Sequence, residues 1–290
     1  MSRIAYVNGR YLPHSAAHVH IDDRAHNFAD GVYEVILVMA GRMVDEDGHM
    51  VRLARSIREL DMVAPMSDRA LIHIMDQTIL RNRVTDGMVY LQINRGTSPR
   101  NHAYDNEALT PTVVCTAKSV VLPSDPETIG GVKVITLSDN RWERVDIKTV
   151  SLLPNAMAKT AATRQGAYEA WLYDGDGNVT ECSSSNAWIV DLEDRLVTRP
   201  LAGNDILPGI TRDRVIKLAA ENGIEVVERA FSVEEALGAR EAFLTSTTSF
   251  VKPVTQIDDT VIGNGQPGTT TRTLLAAYLA FAREVTEQAA

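Results

Sequence analysis

Between residues 119 and 131 the chain gathers Pro123, Ser124, Asp125, Pro126, Gly130 and Gly131, residue types that end helices, interrupt sheet ladders and favour turns. This is the best place to divide the sequence. A length of 290 residues supports a division, because single hydrophobic cores stop growing at roughly 250 to 300 residues. The expectation is a small N-terminal α/β domain over residues 1–121 and a larger one over 122–290, both α+β in class. The pattern does not fix the order of strands in either sheet.

Local signals fill in the two halves. Ile4 and Tyr6 lead into Asn8-Gly9-Arg10 and out through Tyr11 and Leu12, and Asn-Gly is a strong hairpin-turn signal. Residues 32–45 repeat the arrangement, with Val32 to Met39 and Met43-Val44 flanking Ala40-Gly41-Arg42. Leu53, Ile57, Leu60 and Met62 then switch to helical spacing over 49–63, a second helix is expected over 67–83, and strands over 87–95 and 111–118. The second half is expected to mix strands over 132–137, 170–173, 186–191 and 242–245 with helices over 155–166, 211–222, 232–238 and 269–286. Trp142 to Ile147 alternates in polarity and reads as one more strand.

Composition narrows the function classes. A formal net charge of −9 opposes a general nucleic-acid binder, which needs a basic face, but leaves room for a local basic pocket. Cys115 and Cys182 are too few for a disulfide framework or a structural zinc site, which fits a reducing cytoplasm. No signal-peptide pattern opens the chain, and no apolar run approaches the ~20 residues of a membrane helix. His18 and His20 form a pair with no third ligand in register, so no metal is expected.

The chemistry-bearing residues are a lysine and a glutamate. Lys148 follows the alternating Trp142–Ile147 stretch and precedes Thr149-Val150-Ser151-Leu152-Leu153. A lysine entering an apolar, buried stretch is expected to lose hydration of its charged form, which makes the neutral amine available as a nucleophile. Further on, Thr180-Glu181-Cys182-Ser183-Ser184-Ser185-Asn186 offers a carboxylate. An amine that forms a Schiff base and a carboxylate that keeps a pyridine nitrogen protonated are what pyridoxal 5′-phosphate requires of a protein.

Three other segments could serve the same end. Gly209-Ile210-Thr211-Arg212-Asp213 opens an expected helix, and its first amides form either a phosphate site or a helix start with Thr211 as a plain N-cap. Thr245-Ser246-Thr247-Thr248-Ser249 ends an expected strand in hydroxyls. Arg100 and His102 stand in a loop after a strand, where an arginine fork suits a planar carboxylate.

Taken in order, Asp30-Gly31-Val32-Tyr33-Glu34-Val35, His49 to Leu53, Arg95 to His102, Asp146-Ile147-Lys148, Thr180 to Asn186, Gly209 to Asp213 and Thr245 to Ser249 resemble the D-amino acid transaminases of the fold-type IV pyridoxal phosphate family. That family also includes branched-chain aminotransferases and aminodeoxychorismate lyase. The resemblance covers nearly the whole chain. It implies two α/β domains with the cofactor site between them, and it assigns roles. Lys148 matches the catalytic lysine that carries the cofactor, Glu181 the carboxylate at the ring nitrogen, and Arg52 the phosphate-binding arginine. Ile210 and Thr211 match the amides of the phosphate cup, Thr247 its hydroxyl, and Leu207 the apolar contact on the ring. Tyr33, Arg100 and His102 match the trap for the substrate α-carboxylate.

The implied activity is amino-group transfer between D-amino acids (D-alanine, D-glutamate) and 2-oxo acids (2-oxoglutarate, pyruvate) with ping-pong kinetics. The implied assembly is a homodimer in which the loop over 96–102 reaches the neighbouring active site. An (R)-selective amine transaminase and a lyase like aminodeoxychorismate lyase are the alternatives, and the trap residues oppose the first. Three positions depart from the family pattern. Val51 stands where an acidic residue often precedes the phosphate arginine, Leu153 where branched-chain members carry a tyrosine, and Cys182 where a glycine is usual.

Overall fold

The computed structural model describes residues 3–288. The chain forms two compact units. Unit 1 takes the residues up to Leu122, the segment Ile147–Ser151 and the residues from Val285 on; unit 2 takes Pro123–Asp146 and Leu152–Glu284.

Unit 1 contains strands β1 (Ile4–Val7) and β2 (Arg10–Pro13), the short helix α1 (Arg24–Phe28), β3 (Gly31–Met39), β4 (Arg42–Met43), helices α2 (Glu46–Glu59) and α3 (Asp68–Asn82), and strands β5 (Gly87–Asn94) and β6 (Thr112–Ser119). Its sheet runs β2-β1-β6-β5-β3-β4, antiparallel throughout. The first two hairpins turn where the sequence indicates. Asn8 and Gly9 take φ of 42° and 88°, and Ala40 and Gly41 take 50° and 77°, the paired positive values that a two-residue type I′ turn demands.

Helix α2 starts earlier and ends earlier than its apolar spacing implies, with Met62 buried beyond its end. It buries His49, Met50, Arg52, Leu53, Ser56 and Ile57, the successive positions of one helical face. Met50, Leu53 and Ile57 join Val32, Ile36 and Val38 of β3 in one apolar core. Two polar members of the same helical face, His49 and Arg52, meet Glu34 of β3 inside that core.

Unit 2 contains β7 (Val132–Ser138), α4 (Leu153–Arg164), β8 (Glu169–Tyr173), β9 (Val179–Cys182), β10 (Asn186–Val190), β11 (Leu196–Thr198), α5 (Ile210–Glu221), β12 (Val226–Glu228), α6 (Val233–Leu237), β13 (Glu241–Ser246), β14 (Phe250–Ile257), β15 (Thr260–Val261) and most of α7 (Thr269–Gln288). Its mixed sheet runs β12-β11-β10-β13-β14-β7-β8-β9, with β15 on β14. Strands β7 and β8 are parallel, so the chain must cross over between them, and α4 is that crossover. Among the described residues no helix is long and apolar enough to cross a membrane.

Two expectations around Lys148 are corrected. Trp142–Ile147 is not a strand but a succession of bends and turns. Its alternation comes from a local ion pair, Arg144 Nε to Asp146 Oδ1 at 3.0 Å, with Trp142 left exposed. The stretch after Lys148 is not uniformly buried either. Thr149 is buried, but Leu152 is exposed and Leu153, 72% exposed, begins α4.

Candidate active site

The segment Ile147–Ser151 is sewn onto β3 of unit 1. The Tyr33 N–H donates to the Lys148 carbonyl at 3.0 Å, the Val150 N–H donates to the Gly31 carbonyl at 3.0 Å, and Thr149 forms a β-bridge with Val32. Backbone pairing fixes where the lysine emerges. Its Nζ lies 4.4 Å from the centroid of the Tyr33 ring, and its N–H donates to Ser56 Oγ of α2 at 3.3 Å.

Tyr33 is itself backed by an ordered polar row. Its ring stacks on Tyr90 with centroids 5.6 Å apart. From there alternate residues of β5, which share one face of the sheet, pass hydrogen bonds along the strand. The Tyr90 hydroxyl donates to Gln92 at 2.6 Å, the Gln92 amide donates to Asn94 at 2.6 Å, and the Asn94 amide donates to buried Asp23 at 2.9 Å. A carboxylate can only accept, so Asp23 orients both amides and makes Tyr90 the donor at the far end. Burial, with Tyr33 beside it, pushes the Tyr90 phenol up to about 12.

On the opposite face of β3, Glu34 is buried with its charge fully engaged. Arg52 donates from Nε to Oε1 at 2.8 Å and from Nη2 to Oε2 at 2.6 Å, while His49 Nδ1 lies 2.7 Å from Oε2. Burial alone would raise the Glu34 carboxyl. The Arg52 charge and the bonds from Arg52 and His49 outweigh it and bring the carboxyl down to about 2. Burial pushes the His49 imidazole below its ordinary value, against the pull of Glu34.

Arg100 and His102 are exposed on the loop after β5. Both lie against Phe28 of α1, the Arg100 Cζ 5.2 Å from its centroid and the His102 ring 5.3 Å away. Among the described residues neither makes a hydrogen bond or ring contact with Tyr33.

In unit 2 the residues converge on Glu181, at the end of β9. Its carboxylate accepts from Arg141 Nη1, from the Asn186 amide at 2.9 Å and from the Leu207 N–H at 3.1 Å. Asn186 donates to the Leu207 carbonyl as well, at 3.0 Å, and so closes a ring of bonds around the group. Burial pushes the Glu181 carboxyl up, while Arg141 and the Leu207 amide pull it back. Arg141 divides its guanidinium, since it also forks onto Asp139. The serine run between Glu181 and Asn186 is fixed from beneath, because Ser183, Ser184 and Ser185 hydroxyls all donate to buried Glu169 at 2.7 to 3.0 Å.

Helix α5 decides between the two readings of its start. Gly209 is the N-cap residue and no side chain caps the helix, so Thr211 is not the cap; it lies inside the first turn and is buried. A Cβ on Gly209 would fall 2.0 Å from Asn186 Oδ1, so only glycine allows this close approach. The amides of Ile210 and Thr211 belong to the uncapped first turn, where an anion is favoured by orphan N–H groups and the helix dipole. Thr247 sits in the turn between β13 and β14, and β13 pairs with β10 through Thr245 opposite Asn186. A buried carboxylate for a ring nitrogen and an uncapped helix start for a phosphate fit pyridoxal phosphate.

From the sequence, Glu34 and Asn186 stand inside motifs without a role of their own, and Arg141 and α1 go unnoticed altogether. A charge at an apolar position of a strand pattern is the available signal for Glu34. Arg141 carries none, since only the fold brings it to Glu181.

The amino-transferase class IV family profile matches residues 31–257. The chain belongs to that family. It is 40% identical over 270 residues to a D-alanine aminotransferase of Bacillus licheniformis, covering 93% of this chain and 94% of that protein. It is 38% identical to one of Listeria innocua over 269 residues, 92% of each. Among solved structures, a branched-chain aminotransferase of the archaeon Thermoproteus uzoniensis with norvaline superposes with a TM-score of 0.85 at 26% identity, covering 99% of this chain and 98% of that one. Two of the three departures named from the sequence, Val51 and Cys182, take very different places in the structure. Val51 is 72% exposed on α2, and the carboxylate that Arg52 meets comes from β3 instead. Cys182 pairs with Trp171 across β8 and β9 and fills the core.

Proposed function

We propose that this class IV aminotransferase is a pyridoxal 5′-phosphate-dependent D-amino acid transaminase, moving the amino group between D-alanine or D-glutamate and 2-oxoglutarate or pyruvate. One observation carries the reading. A chain 40% identical to a D-alanine aminotransferase over 93% of its length retains Lys148 beside Tyr33 in unit 1 and the buried Glu181 in unit 2.

When bound, the cofactor supplies a ring that accepts the electrons left at the substrate Cα when its proton departs. The protein's residues do the rest. Lys148 would carry the cofactor, then take the Cα proton as a base and deliver it to the cofactor's C4′ as an acid. Glu181, held by Arg141, Asn186 and Leu207, keeps the ring nitrogen protonated. Arg52, the Ile210 and Thr211 amides and the Thr247 hydroxyl hold the phosphate, and Leu207 packs on the ring. Tyr33, Arg100 and His102 grip the α-carboxylate, with the loop over 96–102 reaching the neighbouring site of a cytoplasmic homodimer.

The test is a panel of D- and L-amino acids and (R)-1-phenylethylamine against 2-oxoglutarate, using purified enzyme loaded with pyridoxal phosphate. D-Alanine should be preferred over L-alanine and over the amine. A preference for L-alanine, or for the amine, would overturn the reading.

A further inference from the structure

The loop that carries Arg100 and His102 is built on α1, the five-residue helix Arg24–Phe28. Arg24 is buried and donates from Nη1 to the Asn101 carbonyl at 2.7 Å and from Nη2 to the His102 carbonyl at 3.1 Å. Its Nε is tied to Asp30 at 2.8 Å, so the fork that holds the loop is fixed at its base. At the end of the same helix the Phe28 ring meets all three basic residues. The Arg24 Cζ lies 4.8 Å from its centroid, the Arg100 Cζ 5.2 Å and the His102 ring 5.3 Å.

Arg24 is paired with Asp30, whereas among the described residues neither Arg100 nor His102 has an ion-pair partner. What holds them is the electron-rich face of Phe28 and the two carbonyls clamped by Arg24. An anion placed before them supplies the missing countercharge. Side chains fixed beforehand also lose less freedom when they grip it. Arg24 cannot be a ligand of that anion itself, since it is buried and its fork is spent on the loop.

We propose that α1 is the platform that presents Arg100 and His102 to the substrate α-carboxylate, with Arg24 and Phe28 as positioning residues that never touch the substrate. The inference rests on the transaminase reading above and adds two residues that determine how tightly a carboxylate-bearing substrate binds.

The holoenzyme is compared with its Phe28→Leu, Phe28→Tyr and Arg24→Lys variants. Phe28→Leu should raise the KM for D-alanine about fivefold to twentyfold while kcat moves less than about threefold, because loss of a ring platform loosens the grip without altering the proton transfer. Phe28→Tyr keeps a ring face and should restore the wild-type KM. Arg24→Lys, a point charge that cannot span two carbonyls, should raise it at least as far as Phe28→Leu. By calorimetry the affinity for propanoate should weaken by the same factor in Phe28→Leu, whereas the affinity for pyridoxal phosphate should hold. A folded Phe28→Leu protein with wild-type KM and wild-type propanoate affinity would overturn the inference. So would equal losses of propanoate and pyridoxal phosphate affinity, which mark general damage to the fold. A wild-type enzyme that does not turn over D-alanine overturns the transaminase reading itself, a result separate from indifference to Phe28.

Discussion

Each unit buries one glutamate against one arginine, yet the two carboxyls are pushed in opposite directions. Glu34 receives a two-pronged fork from Arg52 and a further bond from His49, and falls to about 2. Glu181 receives one prong of an arginine already forked onto Asp139, plus two neutral amides, and burial pushes it up. The difference is one of saturation. Glu34 takes two prongs of Arg52 and the His49 bond across β3 and α2, while Glu181 shares its arginine with Asp139 and would gain from a further positive partner, such as the protonated ring nitrogen proposed above. Burial beside an arginine therefore does not by itself set the direction of a carboxyl's shift; whether that arginine is shared with a second carboxylate does.

Lys148→Ala gives the largest expected effect, because it removes the chemistry and leaves both glutamate clusters intact. Amino transfer from D-alanine should fall by at least about a thousandfold, with the thermal midpoint close to that of the wild type. Substantial turnover by the folded variant, without added amine, would break the assignment.

Glu34→Gln should be the most damaging to stability. It leaves Arg52 and His49 buried without their carboxylate, a loss of about 3 to 5 kcal/mol, read as a midpoint lower by roughly 5 to 15 °C. Glu181→Gln should cost well under half of that, since Arg141 retains Asp139. Equal losses would mean that the two clusters do the same structural work.

Acid titration of stability sharpens the contrast further. The Glu34 contribution is complete above its ordinary value of 4.5 and is lost as pH falls toward about 2, because the unfolded chain takes up the proton first. His49, depressed by burial, adds a loss that begins as pH falls below 6.5 for the same reason. Glu34→Gln should flatten the lower part of this limb, measured as urea midpoints between pH 5 and 2. A wild-type slope surviving in the variant would mean that other carboxylates carry it.

Features fixed by neighbours in sequence were legible. Asn8-Gly9 announces its hairpin because a type I′ turn is decided by two residues, and the motifs Thr180 to Asn186 and Gly209 to Asp213 point to the segments that hold the buried Glu181 and the uncapped start of α5. Features decided at a distance were not. Helix α1 has five residues, too few to show a period, and its role emerges only when Arg24 meets carbonyls at 101 and 102. Strand β14 was hidden by Pro253, which pairs with β13 while the β7 ladder begins only at Val254. Trp142–Ile147 misled because an ion pair two residues apart imitates the alternation of a strand.

The most direct test of the central claim follows the half-reaction of D-alanine with pyridoxal phosphate-loaded Glu181→Gln in a stopped-flow spectrophotometer, beside the wild type. A neutral amide cannot sustain a protonated ring nitrogen as a carboxylate does. The account predicts Cα proton removal slower by about tenfold to hundredfold with the cofactor still bound, a loss of roughly 1.4 to 2.7 kcal/mol in transition-state stabilisation. A wild-type rate in a folded, cofactor-loaded Glu181→Gln protein would contradict it, and would assign the ring nitrogen to another residue.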